Sequence, residues 1–117
     1  MKESTKRRME LRAQVIKALA HPSRVLIAEA LTDGERCVAE LTELVGADTS
    51  TVSKHLLVMK NAGLLAVEKR GLNVYYRLAC PCLGEFFRCV DLINTTRHEA
   101  MSCCTTTRLP RASKRAA

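Results

Sequence analysis

The sequence predicts a mainly α-helical fold with a small β-hairpin, a winged helix-turn-helix of about five helices and two strands. Three observations predict it. Two short helical patterns, Val38–Val45 and Thr49–Ala62, are separated only by a few residues around Gly46. The second pattern carries an apolar stripe, Val52, Leu56 and Met59, opposite a face of Ser50, Thr51, Ser53, Lys54 and His55. An alternating apolar stretch with a basic tip follows directly.

The elements follow in order. Residues 1–10 are polar and charged and are expected to form a basic arm. Leu11, Val15, Ala18 and Leu19 recur at helical spacing until His21-Pro22. Pro22 suits the first turn of a second helix, where its missing N–H costs nothing, and Asp33-Gly34 ends that helix. Val38, Leu41, Leu44 and Val45 mark a third helix, with Cys37 as N-cap and Gly46 as a left-handed C-cap. Glu40, three residues after Cys37, supplies half a capping box. Asp48 or Thr49 caps the fourth helix, and Gly63 follows its end. Leu65 and Val67, then Val74, Tyr76 and Leu78, alternate as two strands around a tip at Lys69–Asn73. Pro81 is expected to open a long last helix, with Cys82, Phe86, Cys89 and Ile93 on one stripe. The winged, dimerising domain thus covers residues 11–101, and residues 102–117 are expected to be a disordered basic tail.

Composition narrows the function. A chain of 117 residues fits one small domain, and a dimer interface would add to its modest core. Nineteen Lys and Arg against 12 Asp and Glu give a net charge of +7, which suits a polyanion such as nucleic acid. No apolar run reaches the roughly 18 residues of a membrane span, and Arg12, Gln14 and Lys17 interrupt any signal-type core. A cytoplasmic location follows as an expectation, and there the six cysteines are thiols available for metal or redox chemistry.

The fourth helix is the expected reader of DNA. Thr49, Ser50 and Thr51 occupy its first turn, where N–H groups and the helix dipole favour phosphate. Ser53, Lys54 and His55 come one turn later, within reach of base edges, and Lys60 lies towards the helix end. Lys69, Arg70 and Asn73 at the hairpin tip are placed to meet the backbone or minor groove.

Cysteines stand at 37, 80, 82, 89, 103 and 104. Thiolates select soft ions: As(III), Sb(III), Cd(II), Pb(II), Cu(I) and Zn(II). Cys80 and Cys82 flank Pro81, so both can pinch one ion. Cys82 and Cys89 are seven residues apart, roughly 10 Å along a helix rising 1.5 Å per residue, which separates them unless the helix starts after Pro81. Cys103 and Cys104 are candidates for closing over the site from the tail. A thiol enzyme or metal carrier is a remote alternative, since no histidine is placed as a base beside a cysteine and no Gly-rich phosphate loop exists.

From Leu19-Ala20-His21-Pro22-Ser23-Arg24 to Tyr75-Tyr76-Arg77-Leu78 the chain resembles the ArsR/SmtB family of winged-helix metal-sensing repressors. Ala20 to Arg24 resembles the start of that family's second helix, and Cys37-Val38-Ala39-Glu40-Leu41 resembles its cysteine box. Ser50-Thr51-Val52-Ser53-Lys54-His55-Leu56 resembles its "S-x-x-S-x-H-L" reader, and Gly71 to Leu78 its wing. The resemblance implies a homodimer built on the first and last helices, an operator with dyad symmetry, and release when an inducer binds. It also shows departures. Ala39 and Thr42 stand where the box has its further cysteines, so Cys37 needs ligands from elsewhere. Only His98 and Glu99 remain of the family's last-helix zinc pattern. The expected function is a non-enzymatic repressor released by As(III), Sb(III) or a similar thiophilic ion such as Cd(II), Pb(II) or Zn(II) through Cys37, Cys80, Cys82 and Cys89. A thiol-redox or persulfide-responsive repressor is the alternative.

Overall fold

A computed structural model describes the backbone of residues 1–103 and the side chains of residues 1–98. The tail assigned to 102–117, with Cys104 and the Cys103 side chain, lies essentially outside the described residues. The order is α1 (Glu3–Leu19), α2 (Pro22–Leu31), β1 (Arg36–Cys37), α3 (Val38–Val45), α4 (Thr49–Asn61), β2 (Leu65–Arg70), β3 (Asn73–Leu78) and α5 (Leu83–Cys103). Residues Met1–Gly84 form one compact unit, and the segment from Glu85 onward is a second.

The core of the first unit is Ile27 of α2, Leu41 of α3 and the α4 stripe Val52, Leu56 and Met59, all fully buried. Ala18, Leu19, Leu31, Leu65 and Leu78 close around them. The stripe on α4 is the one its spacing predicts. Because three side chains on one face are buried, the opposite face of the helix is left to solvent.

Local signals set the ends of the helices. His21 caps α2, its Nδ1 accepting the Ser23 N–H at 3.0 Å, while Pro22 takes the first helical position. Cys37 N–H donates to Glu40 Oε1 at 2.9 Å at the start of α3, and Gly46 ends that helix at φ +77°. Asp48 Oδ1 accepts the Thr51 N–H at 2.8 Å at the start of α4. At the far end Gly63 N–H donates to Lys60 O and Leu64 N–H to Met59 O, a Schellman closure. Gly63 stands at φ +86°, where an L side chain is strained.

Four features differ from the sequence reading. Helix α1 begins at Glu3, inside the expected arm; Lys, Arg, Met and Leu are good helix formers, and Glu3 complements the dipole in the first turn. The sheet has a third strand. Central β3 pairs with β2 (Leu65↔Leu78 to Arg70↔Asn73) and with two-residue β1 (Arg36↔Tyr76, Cys37↔Tyr75), which is too short to show alternation in sequence. The hairpin turn narrows to Gly71-Leu72, so Lys69, Arg70 and Asn73 are strand residues flanking the tip. Finally, α5 starts at Leu83, not at Pro81. Leu83 N–H donates to Cys80 O at 3.2 Å, which makes Pro81 the second residue of a β-turn, a position its fixed φ suits as well as a helix start.

In the second unit, Glu85 pairs with Arg88 on the same helix, and Thr95 Oγ1 donates to Asp91 O. Phe86, Leu92 and Ile93 are exposed.

One polar cluster fastens α4 to the α1–α2 junction. Arg24 Nε donates to Ala18 O at 2.6 Å, and Arg24 Nη1 donates to His55 Nδ1 at 3.2 Å. The His55 and His21 rings lie 4.4 Å apart between centroids. Burial first, then the charges of His21 and Arg24, hold His55 below the ordinary imidazole value of 6.5.

Two outcomes test this packing. Leu56→Ala is expected to lower unfolding free energy by about 2–5 kcal/mol in denaturant titrations, through lost transfer energy and a cavity. Folding favours the neutral His55 ring, so its contribution is complete above pH 6.5 and is lost as pH falls through the lower folded value. His55→Gln should therefore flatten the fall in Tm on acidification below that pH; an unchanged slope would count against this anchoring.

Candidate nucleic-acid interface and thiol turn

The solvent face of α4 presents Thr49, Ser50, Thr51, Ser53 and Lys54, all exposed. The helix dipole is partly spent locally. Asp48 takes the Thr51 N–H through its side chain and the Val52 N–H through its carbonyl. Hydrogen bonds from Thr51 hold the Asp48 carboxyl below its ordinary range, so the cap is anionic at neutral pH. Hydroxyls and Lys54, more than bare N–H groups, are therefore what this turn offers a phosphate. His55, grouped in sequence with the base-reading residues, is half-buried and spends Nδ1 on Arg24. Lys60 is exposed in the last turn, at the opposite end from Asp48.

At the wing, Lys69 and Asn73 are exposed, and Leu72 at the tip is 98% exposed. Arg70 is engaged. Its Nη2 meets both carboxylate oxygens of Glu35, its Nε lies 3.6 Å from Glu68, and its guanidinium sits 4.2 Å over the Tyr75 ring. The Glu35 bond raises the Arg70 pKa and lowers that of Glu35. Arg70 therefore meets a phosphate only after exchanging an ionic partner. Glu35 and Arg70 are 35 residues apart, and no local pattern announces the pair.

The turn Cys80-Pro81-Cys82 joins β3 to α5 and sets two exposed thiols on either side of a proline. Hydrogen bonds from the Cys82 thiol and backbone N–H hold the Cys80 pKa below the ordinary thiol value of 9.0. Cys37 is half-buried in β1, opposite Tyr75 on β3, whereas Cys80 follows the end of that strand. Cys89 is exposed on α5 in the second unit. Among the described residues, no three Cys, His, Asp or Glu side chains come together to hold a metal ion. The structure thus brings Cys80 and Cys82 together and leaves Cys37 apart from them; Cys103 and Cys104 fall outside the described side chains.

Comparison with known proteins gives this geometry a family. The profile described as "Bacterial regulatory protein, arsR family" matches residues 21–67, from the cap of α2 into β2. An HTH-type transcriptional regulator of Mycobacterium tuberculosis is 38% identical over 77 residues, 65% of this chain and 68% of that protein. A cadmium resistance transcriptional regulatory protein, a CadC homolog of Staphylococcus aureus, is 42% identical over 67 residues, 56% of this chain and 55% of that one. Among solved structures, the homodimeric winged helix-turn-helix DNA-binding domain of a Mycobacterium bovis protein superposes with a TM-score of 0.73 at 28% identity, covering 85% of this chain and 92% of that chain. With a solvent-facing second helix, a basic wing and these relatives, the chain belongs to the ArsR family of bacterial regulatory proteins, as a winged-helix DNA-binding transcriptional regulator and not an enzyme.

Proposed function

We propose that this regulator is a dimeric repressor released from its operator when As(III), Sb(III) or a similar thiophilic ion binds Cys80 and Cys82. One observation carries the reading: a turn that holds two thiols side by side, directly after the strand that forms the wing. The cadmium-resistance relative supports a soft-metal signal, and Cd(II), Pb(II) and Zn(II) remain alternatives within the same chemistry. Cys80 and Cys82 form the nucleus of the site. Cys37, Cys89, Cys103 and Cys104 are the pool from which a further thiolate comes, in the same subunit or the partner.

DNA recognition falls to Thr49, Ser50, Thr51, Ser53 and Lys54 of α4, with Lys60 at its end and Lys69, Asn73 and Arg70 on the wing. His55 acts chiefly as the support that holds the helix. The DNA-binding and dimerising region spans residues 11–101, extended N-terminally by the first turns of α1. The exposed apolar side chains Leu11 and Ile16 of α1 and Leu92 and Ile93 of α5 support a homodimer through these helices. A two-fold dimer reads a dyad-symmetric operator with its two reading helices roughly 34 Å apart.

A second reading rests on the hydrogen bond between the two thiols. A depressed pKa and an adjacent partner also suit an oxidised or persulfide-derived bridge between Cys80 and Cys82. Mass spectrometry of the released protein separates the two, by bound metalloid or by an inter-cysteine bridge.

Two measurements test the main reading. Lys54→Ala should weaken operator binding and reduce the slope of log affinity against log salt by about 0.9 for each phosphate it no longer neutralises. Cys82→Ser should keep the affinity of the unliganded protein and abolish release by arsenite in a mobility-shift assay. Release that persists in this variant removes Cys82 from the site.

A further inference from the structure

A cavity of about 490 Å³ lies where α1, α2 and the end of α4 meet, within the first compact unit. Lys17 and Arg24 are the charged residues of its lining, and both are cations. Ala18, Val58 and Ala62 supply an aliphatic wall, and Asn61 an amide. Arg24 is half-buried and its guanidinium is fixed: Nε donates to Ala18 O at 2.6 Å and Nη1 to His55 Nδ1 at 3.2 Å. Neither acceptor carries a negative charge. Among the described residues, neither Arg24 nor Lys17 has an ion-pair partner, whereas Arg70 and Arg88 each hold a glutamate. A charge withdrawn from water is ordinarily paired with an opposite one. Here two cations share a cavity that has no carboxylate in its walls.

We infer that this cavity binds an amphipathic monocarboxylate, its carboxylate on Arg24 and Lys17 and its hydrocarbon chain against Ala18, Val58 and Ala62. A guanidinium held in place suits a carboxylate, to which it offers a planar donor edge. The volume falls within the roughly 300–1,000 Å³ of small-molecule sites. The aliphatic wall favours an anion with a chain over a bare inorganic ion or a DNA phosphate, neither of which would cover it. The thiols take no part, so the inference stands or falls independently of the effector reading. The ligand would nevertheless adjoin the reader. Arg24 is the residue that clamps His55, Val58 and Asn61 belong to the last turn of α4, and Ala62 is its C-cap.

The test uses the full chain without DNA and octanoate as the probe. Isothermal titration calorimetry gives affinity and stoichiometry, and NMR of labelled methyl groups gives location. One octanoate per subunit is expected, with the largest shifts at the Ala18, Val58 and Ala62 methyls. Octylamine has the same chain with the opposite charge, and acetate the same head without the chain; each should bind more weakly by about tenfold or more. Val58→Glu, at an exposed position, supplies a carboxylate from the wall itself and should abolish octanoate binding. Lys17→Gln, also exposed, should weaken it by about tenfold. Circular dichroism checks that both variants keep their fold, and the ligand series on the wild-type protein needs no variant. Equal binding of octanoate and octylamine, or shifts spread over the exposed apolar side chains of α1 instead, overturns the inference, as does undiminished binding in the two variants. Failure of octanoate to bind also overturns it; a salt slope of operator binding lowered by about 0.9 in Lys17→Gln then identifies a DNA phosphate as the anion these cations serve.

Discussion

The C-terminal end of α4 is the constraint on which the rest of the first unit depends. Within a few residues the DNA-facing helix closes, the chain reverses at Gly63, and the wing begins at Leu65. The reversal needs a positive φ that only glycine adopts at little cost, and it spends the last helical carbonyls on Gly63 and Leu64, whose N–H groups meet Lys60 O and Met59 O. Leu64 is buried and its carbonyl holds Ala79, so the exit of β3 is fastened to the exit of α4. Reader, wing and thiol turn are thereby tied at one joint. A change in the turn at Cys80 to Leu83 reaches α4 through one hydrogen bond and shared packing, without a long relay.

The other end of α4 is secured differently, and the contrast explains the division of labour along the helix. Asp48 uses its carboxylate and carbonyl on the first turn, and Arg24 and His21 receive His55 one turn later. Buried Val52, Leu56 and Met59 lie between. A helix held by its cap, an apolar stripe and a polar clamp can leave its remaining hydroxyls and Lys54 to DNA. The same economy limits the wing. Arg70 is held by Glu35 and Glu68 and covered by Tyr75, so its charge has a partner before any phosphate arrives. Exposed pairs of this kind are weak, so exchange for a DNA phosphate is easily reached.

What was legible in the sequence is what local chemistry determines. Gly46 and Gly63 follow helix ends because they need left-handed backbone, Asp48 begins α4 because its side chain reaches an N–H three residues on, and Val52, Leu56 and Met59 share a face by spacing alone. The features that were not legible are contacts between residues far apart in the chain. Strand β1 has two residues and exists only because β3 has a free edge for it. Glu35 finds Arg70, and Arg24 finds His55, across more than thirty residues each. For His55 the sequence offers a helix face and a spacing, and both fit a DNA contact as well as a clamp. At Pro81 two local rules compete, helix start against turn, and the hydrogen bond from Leu83 to Cys80 selects the turn. For the thiols the sequence named Cys37, Cys80, Cys82 and Cys89 and noted that Cys80 and Cys82 flank Pro81; the structure sets those two in one turn, Cys37 in β1 and Cys89 on α5.

That selection bears on how a signal could be transmitted. This β-turn joins its first and fourth residues through the Leu83 N–H to Cys80 O bond, and the Cys82 thiol and N–H hydrogen-bond to the Cys80 sulfur. The pair is thus pre-organised, and little ordering cost stands between it and a bound thiophilic centre. Pre-organisation raises affinity but by itself transmits nothing, because a ligand that suits both states of a protein equally shifts neither. Coupling needs something that differs between the DNA-bound and released forms. Among the described residues, this turn touches the reader through the aliphatic walls at Ala62 to Leu64 and the Ala79–Leu64 hydrogen bond. Those contacts are the route by which a change at this turn reaches the end of α4.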